Sequence, residues 1–222
     1  MTDGFKGKEV QKQERTLVMF SGGIDSTATL WFVLNSVEKY GQVHVHHIHI
    51  QNAEGRWHAE AQAVSAVLDY MRKYAPAPFT YSESAISTPS FDKKFLYDME
   101  IISFMTGYMT SRDPSITKVI LGATGTDYAM GSTRAVAQSK ASHNAFHPDV
   151  DDHSGKVKEF PLKDLTKQQV YDTLPLELAR LTWSCRRPVR VNGKFVECGI
   201  CKTCTQELRG IIRTALPTGG AV

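Results

Sequence analysis

The chain has 222 residues, 41% of them hydrophobic and 22% charged, with a formal net charge of +3. That is the composition of a soluble globular protein able to bury one good core and a small appendage. It holds no apolar run long enough to span a membrane, and its charge is too small to argue for nucleic acid by itself. Met1 to Arg15 is polar, with no apolar centre. Residues 1–14 therefore read as a frayed arm and not as a secretory leader.

Thr16-Leu17-Val18-Met19-Phe20 is predicted as a strand, and Thr27 to Tyr40 as an amphipathic helix. Between them stands Ser21-Gly22-Gly23-Ile24-Asp25-Ser26. A strand, a glycine turn and a helix N-terminus together make an anion site, because unpaired backbone N–H groups and the helix dipole face the turn. Ser21, Ser26 and Thr27 add hydroxyls, and Asp25 is placed to hold a Mg²⁺ that travels with a nucleotide. A Walker A loop needs a lysine that is missing here. The stretch instead resembles the PP-loop of the ATP pyrophosphatases, which split ATP into AMP and pyrophosphate while adenylating an acceptor oxygen. That resemblance implies that Val18, Phe20, Ser21, Gly22, Gly23, Asp25, Ser26 and Thr27 hold ATP, with Asp25 and Ser26 catalytic.

Val43 to Ile50 is predicted as the second strand. Its alternation puts His44 and His46 on one face and His47 and His49 on the other. That arrangement argues against a chelating trio. His49, near the C-terminal end, is best placed to see a ligand. Trp57 to Tyr74 is predicted as a helix stopped by Pro76 and Pro78, and Phe79 to Ser82 as a third strand. Phe91 to Met109 is predicted as a helix whose core stripe is Phe95, Met99, Ile102, Met105 and Met109.

Lys118 to Gly122 is predicted as the fourth strand, and the loop Ala123 to Ser132 after it is where a parallel sheet builds sites. Arg134 follows, with Ala135-Val136-Ala137 suggesting a helix, then a polar loop from His143 to Gly155. Lys158 to Leu162 is predicted as the last strand. Thr166 and Gln169 then form a capping box that opens a helix. Lys167 falls in that helix's first turn, where a cation opposes the dipole unless an anion sits between them. It is a candidate phosphate ligand. The alternation gives a doubly wound, mostly parallel five-stranded α/β sheet over residues 15–181.

All four cysteines lie in the tail, residues 182–222, at Cys185, Cys198, Cys201 and Cys204. Clustering in one segment favours a metal over a disulfide framework and suits a reducing cytoplasm. Four thiolates close a tetrahedral Zn²⁺ site with no open position, so the zinc should be structural. An iron–sulfur cluster or redox thiols are the alternatives. The tail is basic through Arg186, Arg187, Arg190, Lys194, Lys202, Arg209 and Arg213, which leaves a nucleic-acid-binding module as the non-enzymatic alternative. Only Trp183 and Phe195 interleave with these charges, which gives little support to a stacking platform.

Three stretches in order resemble the 7-cyano-7-deazaguanine synthase family: Val18 to Ala28, Phe160-Pro161-Leu162-Lys163-Asp164-Leu165-Thr166-Lys167, and Leu181-Thr182-Trp183-Ser184-Cys185 with the later Cys-x-x-Cys-x-x-Cys and Leu208-Arg209. The resemblance implies an adenine nucleotide alpha hydrolase-like fold with a four-cysteine zinc appendage and terminal helix. It implies a homodimer that uses ATP, Mg²⁺ and Zn²⁺ to convert 7-carboxy-7-deazaguanine and ammonia to the nitrile. Lys167 would assist at the phosphates. Asp127 and Tyr128, resembling a family Asp-Tyr, would face the deazaguanine, with Arg134 beside them. The sequence departs from the family at Asp92-Lys93-Lys94, Gln51-Asn52-Ala53 and Ala129-Met130-Gly131-Ser132, which touches acceptor choice more than ATP use. A member that stops at the amide, serves 7-deazaguanine DNA modification, adenylates another acceptor such as a protein terminus, or modifies tRNA stays open. The zinc site would consume every cysteine, leaving none to relay sulfur, and the chain has no room for a glutaminase domain. Free ammonia is then the expected nitrogen source.

Overall fold

The computed structural model describes residues 14–88, 98–125, 137, 141, 144–146 and 157–207. Five strands, β1 (Arg15–Phe20), β2 (Gln42–Gln51), β3 (Phe79–Ser87), β4 (Ile116–Ile120) and β5 (Val157–Glu159), form one sheet. The order is β3-β2-β1-β4-β5 and every neighbouring pair is parallel. The expected α/β sheet is therefore present, and among the described strands it is wholly parallel. The chain winds outward from β1 through β2 to β3, then returns to lay β4 on the other side of β1. The crevice at such a reversal, beyond the carboxyl ends of the strands, is where open parallel sheets bind ligands.

β1 is central and Thr16 to Phe20 are all buried, as a strand covered on both faces requires. Val18, Phe20, Val43, Val45 and Ile120 face α1 (Ile24–Leu34) and α3 (Trp57–Tyr74), together with α5 (Lys167–Asp172) and α6 (Leu176–Ala179). Leu17, Met19, Ile48, Ile50 and Val119 face α4 (Asp98–Arg112) on the other side. In α3 the buried residues Ala59, Ala63, Val64, Val67, Leu68 and Met71 keep the helical spacing of its sequence.

Several elements differ from expectation, among them β4 and β5, which end at Ile120 and Glu159 and not at Gly122 and Leu162. The first helix ends at Leu34, and the Asn35 side chain donates to the Trp31 carbonyl at 2.7 Å. A separate turn, α2 (Val37–Tyr40), then buries Tyr40, whose carbonyl accepts from the Thr16 hydroxyl at 2.6 Å. β3 runs on to Ser87 because β2 offers it a partner at every position from Val43 to Gln51. In α4 the stripe is rotated. Met99 is exposed, Met105 and Met109 are half-buried, and the closest face is Ile101, Ser103, Thr106, Gly107 and Thr110. The Thr106 and Thr110 hydroxyls donate to carbonyls one turn back, so small polar side chains pack here without orphaned groups.

After α6 the chain reaches the cysteines and the hairpin β6 (Val189–Val191) and β7 (Lys194–Val196), which turns at Asn192 and Gly193 with φ 50° and 77°. Positive φ at both turn residues is what a tight hairpin asks for. A π-helical turn spans Thr203–Glu207. The N-terminal arm up to residue 13, Phe95, Asp127, Tyr128, Arg134 and the expected terminal helix lie outside the described residues. No helix among the described residues is long and apolar enough to cross a membrane.

Candidate active site

The loop Ser21–Gly23 leaves β1 at the crevice beside β4, and Gly23 caps α1. Its shape is held from within. The Ser26 hydroxyl donates to the Gly23 carbonyl at 3.1 Å and lies 3.0 Å from the Ser21 hydroxyl, and the Ser21 N–H donates to Ser26 Oγ at 3.2 Å. Gly22 has φ +76°, and a Cβ there would stand 2.9 Å from Val64 Cγ2 and 3.2 Å from the Val64 nitrogen. Only glycine meets both demands. On the β4 side, a Cβ on Gly122 would stand 2.8 Å from both Cα and N of Ser26. The two strand exits at the chain reversal thus press glycine backbone against the start of α1. That bare cradle, with the free N–H groups of a helix start, fits a polyphosphate.

Lys167 reaches this cradle from α5. Thr166 caps that helix as expected: its hydroxyl accepts from the Gln169 N–H, and its own N–H donates to Gln169 Oε1 at 2.8 Å. The cap aims Lys167 across the crevice, where its ammonium hydrogen-bonds to Asp25 Oδ2. Both side chains are mostly buried. Asp25 and Lys167, distant in sequence, therefore meet at the mouth of the loop. A nucleotide arriving with Mg²⁺ would find a carboxylate for the metal and an ammonium for a phosphate in one place.

The other expected loop residues divide. Ser21, Gly22, Gly23 and Ser26 form the cradle. Thr27 is fully buried within α1, and its hydroxyl has no hydrogen-bond partner among the described residues. The side chains of Val18 and Phe20 belong to the core, so they shape the site through the strand backbone alone. His47 lies under the loop, its Nδ1–H donating to the Phe20 carbonyl at 2.8 Å. Burial pushes its pKa down to about 4, so the ring is neutral. His49 is beside it, bonded to Glu83 at 3.2 Å, with ring centroids 4.5 Å apart. His44 and His46 face the opposite side, hydrogen-bonded to Thr80, Ser82 and Ser84 of β3. Among the described residues the histidines make no metal cluster.

The cysteines do. The Sγ atoms of Cys185, Cys198, Cys201 and Cys204 all lie within 4.8 Å of one another. Thiolates at ~2.3 Å from one tetrahedral ion stand about 3.8 Å apart, so the set is sized for a single ion. The backbone is ready for thiolate charge: Cys198 N–H and Arg187 N–H donate to Cys185 Sγ at 3.3 and 3.4 Å, and Cys201 N–H to Cys198 Sγ at 3.2 Å.

Sequence reasoning missed how this cluster is fastened to the loop. The Trp183 N–H donates to the Gly22 carbonyl at 2.9 Å, and a Cβ on Gly23 would lie 3.4 Å from the Trp183 carbonyl oxygen. A second fastening is ionic. Arg56, buried, pairs with Glu60 at 3.0 Å and Asp98 at 2.7 Å, and its Nε lies 3.0 Å from Glu54 without the alignment of a hydrogen bond. Burial pushes the Glu60 carboxyl above the usual carboxylate range, against the pull of Arg56. Arg186, next to Cys185, joins Glu54 and Asp98 at 3.4 Å. Its position beside a cysteine was visible in the sequence, but its acidic partners come from the turn after β2 and the first turn of α4.

Comparison with protein families and with curated proteins gives no match. Solved structures do match. The U34-tRNA thiolase NcsA from Methanococcus maripaludis, with its 4Fe-4S cluster, has a TM-score of 0.51 and 14% identity to this chain. The match covers 94% of this chain and 67% of that one. At that identity the likeness is one of fold. The shared fold is an α/β one, here with a parallel five-stranded sheet of order β3-β2-β1-β4-β5 and a C-terminal four-cysteine cluster.

Proposed function

We propose that the chain is an adenylating enzyme of the PP-loop type, which uses ATP and ammonia to convert 7-carboxy-7-deazaguanine to 7-cyano-7-deazaguanine. The observation that carries it is the meeting of Asp25 and Lys167 over the glycine cradle at the chain reversal. Ser21, Gly22, Gly23 and Ser26 grip the pyrophosphate portion of ATP. Lys167 neutralises charge as pyrophosphate leaves, and Asp25 receives Mg²⁺. The acceptor carboxylate attacks the α-phosphorus and expels pyrophosphate. Ammonia then displaces AMP to give the amide. The amide oxygen then attacks the α-phosphorus of a second ATP and expels a second pyrophosphate, and loss of AMP with the amide oxygen and of both protons from nitrogen gives the nitrile. Cys185, Cys198, Cys201 and Cys204 would hold a zinc ion, which supplies folding free energy and no chemistry to the acceptor.

A second reading takes support from the neighbour, a U34-tRNA thiolase: adenylation of a tRNA base. Against sulfur transfer, the chain has four cysteines and all four stand in one closed set. The experiment is pyrophosphate release with 7-carboxy-7-deazaguanine and ammonium, with the product weighed by mass spectrometry. Release that needs tRNA, or none with the deazaguanine, refutes the ligase reading.

A further inference from the structure

Trp183, Ser184 and Cys185 lead from the loop after β1 to the thiol cluster. At the loop end the Trp183 N–H donates to the Gly22 carbonyl at 2.9 Å. At the other end Cys185 is buried among the thiols, its Sγ accepting from the N–H groups of Arg187 and Cys198. The Trp183 indole N–H donates to the Cys185 carbonyl at 2.9 Å and closes a turn around the residue between them. Ser184, half-buried, is therefore held from both sides. Its hydroxyl stands over Gly23. A Cβ built on that glycine would lie 3.6 Å from Ser184 Oγ, 3.5 Å from Ser21 Oγ and 3.4 Å from the Trp183 carbonyl oxygen.

Neither strain nor packing demands glycine at position 23. Its backbone, with φ −80° and ψ 165°, is open to any residue. The three atoms nearest its Cβ position are at ordinary contact distance, unlike those that meet Gly22. All three are oxygens, so the space beside Gly23 is polar on every near side. The Trp183 carbonyl can only accept, which turns an anion toward the two hydroxyls. A count of protons then separates the hydroxyls. Ser26 donates to the Gly23 carbonyl, so the contact between Ser21 and Ser26 takes its proton from Ser21. Ser184 keeps its proton uncommitted among the described residues. It is the hydroxyl at the start of α1 that is ready to donate, beside the free N–H groups of that helix.

We propose that Ser184 is a phosphate-binding residue of the nucleotide site: its hydroxyl donates to an oxygen of the pyrophosphate portion of ATP beside Gly23, and the thiol cluster holds it there. The proposal rests on the reading that the loop after β1 grips that portion. It gives the four-cysteine segment a direct part in binding, since the residue before Cys185 completes the donor set of the loop. A donor set in place before the nucleotide arrives costs no reorganisation as charge builds on the leaving pyrophosphate.

The test follows binding of magnesium pyrophosphate, ATP and AMP to the metal-loaded full chain by calorimetry. Ser184→Ala should weaken pyrophosphate and ATP about tenfold or more, with AMP affinity, metal content and melting temperature as in the parent. Ser184→Thr keeps the hydroxyl and should restore both. Gly23→Ala sets a methyl between the two hydroxyls in a backbone conformation open to alanine. It should melt close to the parent and lose pyrophosphate affinity. Parental pyrophosphate affinity in Ser184→Ala overturns the contact, as does a loss confined to AMP. A Ser184→Ala chain that sheds its metal shows a residue serving the cluster and overturns the phosphate role. Serine-dependent pyrophosphate binding without turnover of 7-carboxy-7-deazaguanine upholds the contact and refutes the ligase reading. Turnover with an unchanged KM for ATP in Ser184→Ala refutes the contact alone.

Discussion

Gly22→Ala isolates the packing of the phosphate cradle. Two penalties add. A Cβ residue at φ +76° costs roughly 1–2 kcal/mol, because the side chain crowds its own carbonyl. The new methyl would also stand 2.9 Å from Val64 Cγ2 and 3.2 Å from the Val64 nitrogen. The first atom can turn away, but the second is backbone inside α3 and cannot, so overpacking adds about 1–3 kcal/mol. Gly55→Ala is the matched control, with φ +67° and nothing within 4 Å of its Cβ. It bears the backbone penalty alone. Urea unfolding of the metal-loaded protein, followed by tryptophan fluorescence, should show Gly22→Ala the less stable of the two by about 1–3 kcal/mol. ATP affinity should fall in Gly22→Ala only. Two variants equal within about 0.5 kcal/mol would sink the claim that α3 is pressed against the loop.

Asp25→Asn and Lys167→Met should each lower pyrophosphate release about 100-fold while melting near the parent; undiminished release by either removes them from the reaction. Stripping the thiol cluster with a chelator, or Cys201→Ser, should lower the melting temperature and weaken ATP binding together, because Trp183 ties the tail to Gly22. ATP affinity unchanged after complete metal loss would show that the tie carries no function. Acid should destabilise the fold through His46 and His47, both pushed down to about 4 by burial. The unfolded chain binds these protons first, so stability is full above pH ~6.5 and falls by about 1.4 kcal/mol per pH unit for each histidine down to pH ~4. His47→Gln should flatten that limb of the stability–pH profile, and an unaltered limb would show that His47 is protonated in the native state.

Much of the fold was legible because its signals are local. β1, the glycine turn and the apolar spacing of α3 each sit within a few residues, and so does the Thr166–Gln169 cap that points Lys167 at its target. The four cysteines were legible by spacing alone. What escaped is non-local. β3 is longer than its own composition suggests because β2 supplies the partners. The most buried face of α4 is Ile101 with the small residues Ser103, Thr106, Gly107 and Thr110, while Ile102, Met105 and Met109 pack half-buried beside it, since close approach to the sheet favours small side chains. The Asp25–Lys167 pair, the Arg56 network and the approach of Ser184 to Gly23 all join residues from distant parts of the chain, and no periodicity reports them.

The bond from Trp183 to Gly22 also has a bearing on synthesis. The loop after β1 leaves the ribosome well before Trp183, so the Gly22 carbonyl waits for a donor that lies far downstream. A nascent chain holding only the sheet leaves that carbonyl without its donor until the cysteine segment has emerged and folded back. The loop's final shape is therefore set only once the two distant stretches of chain have met.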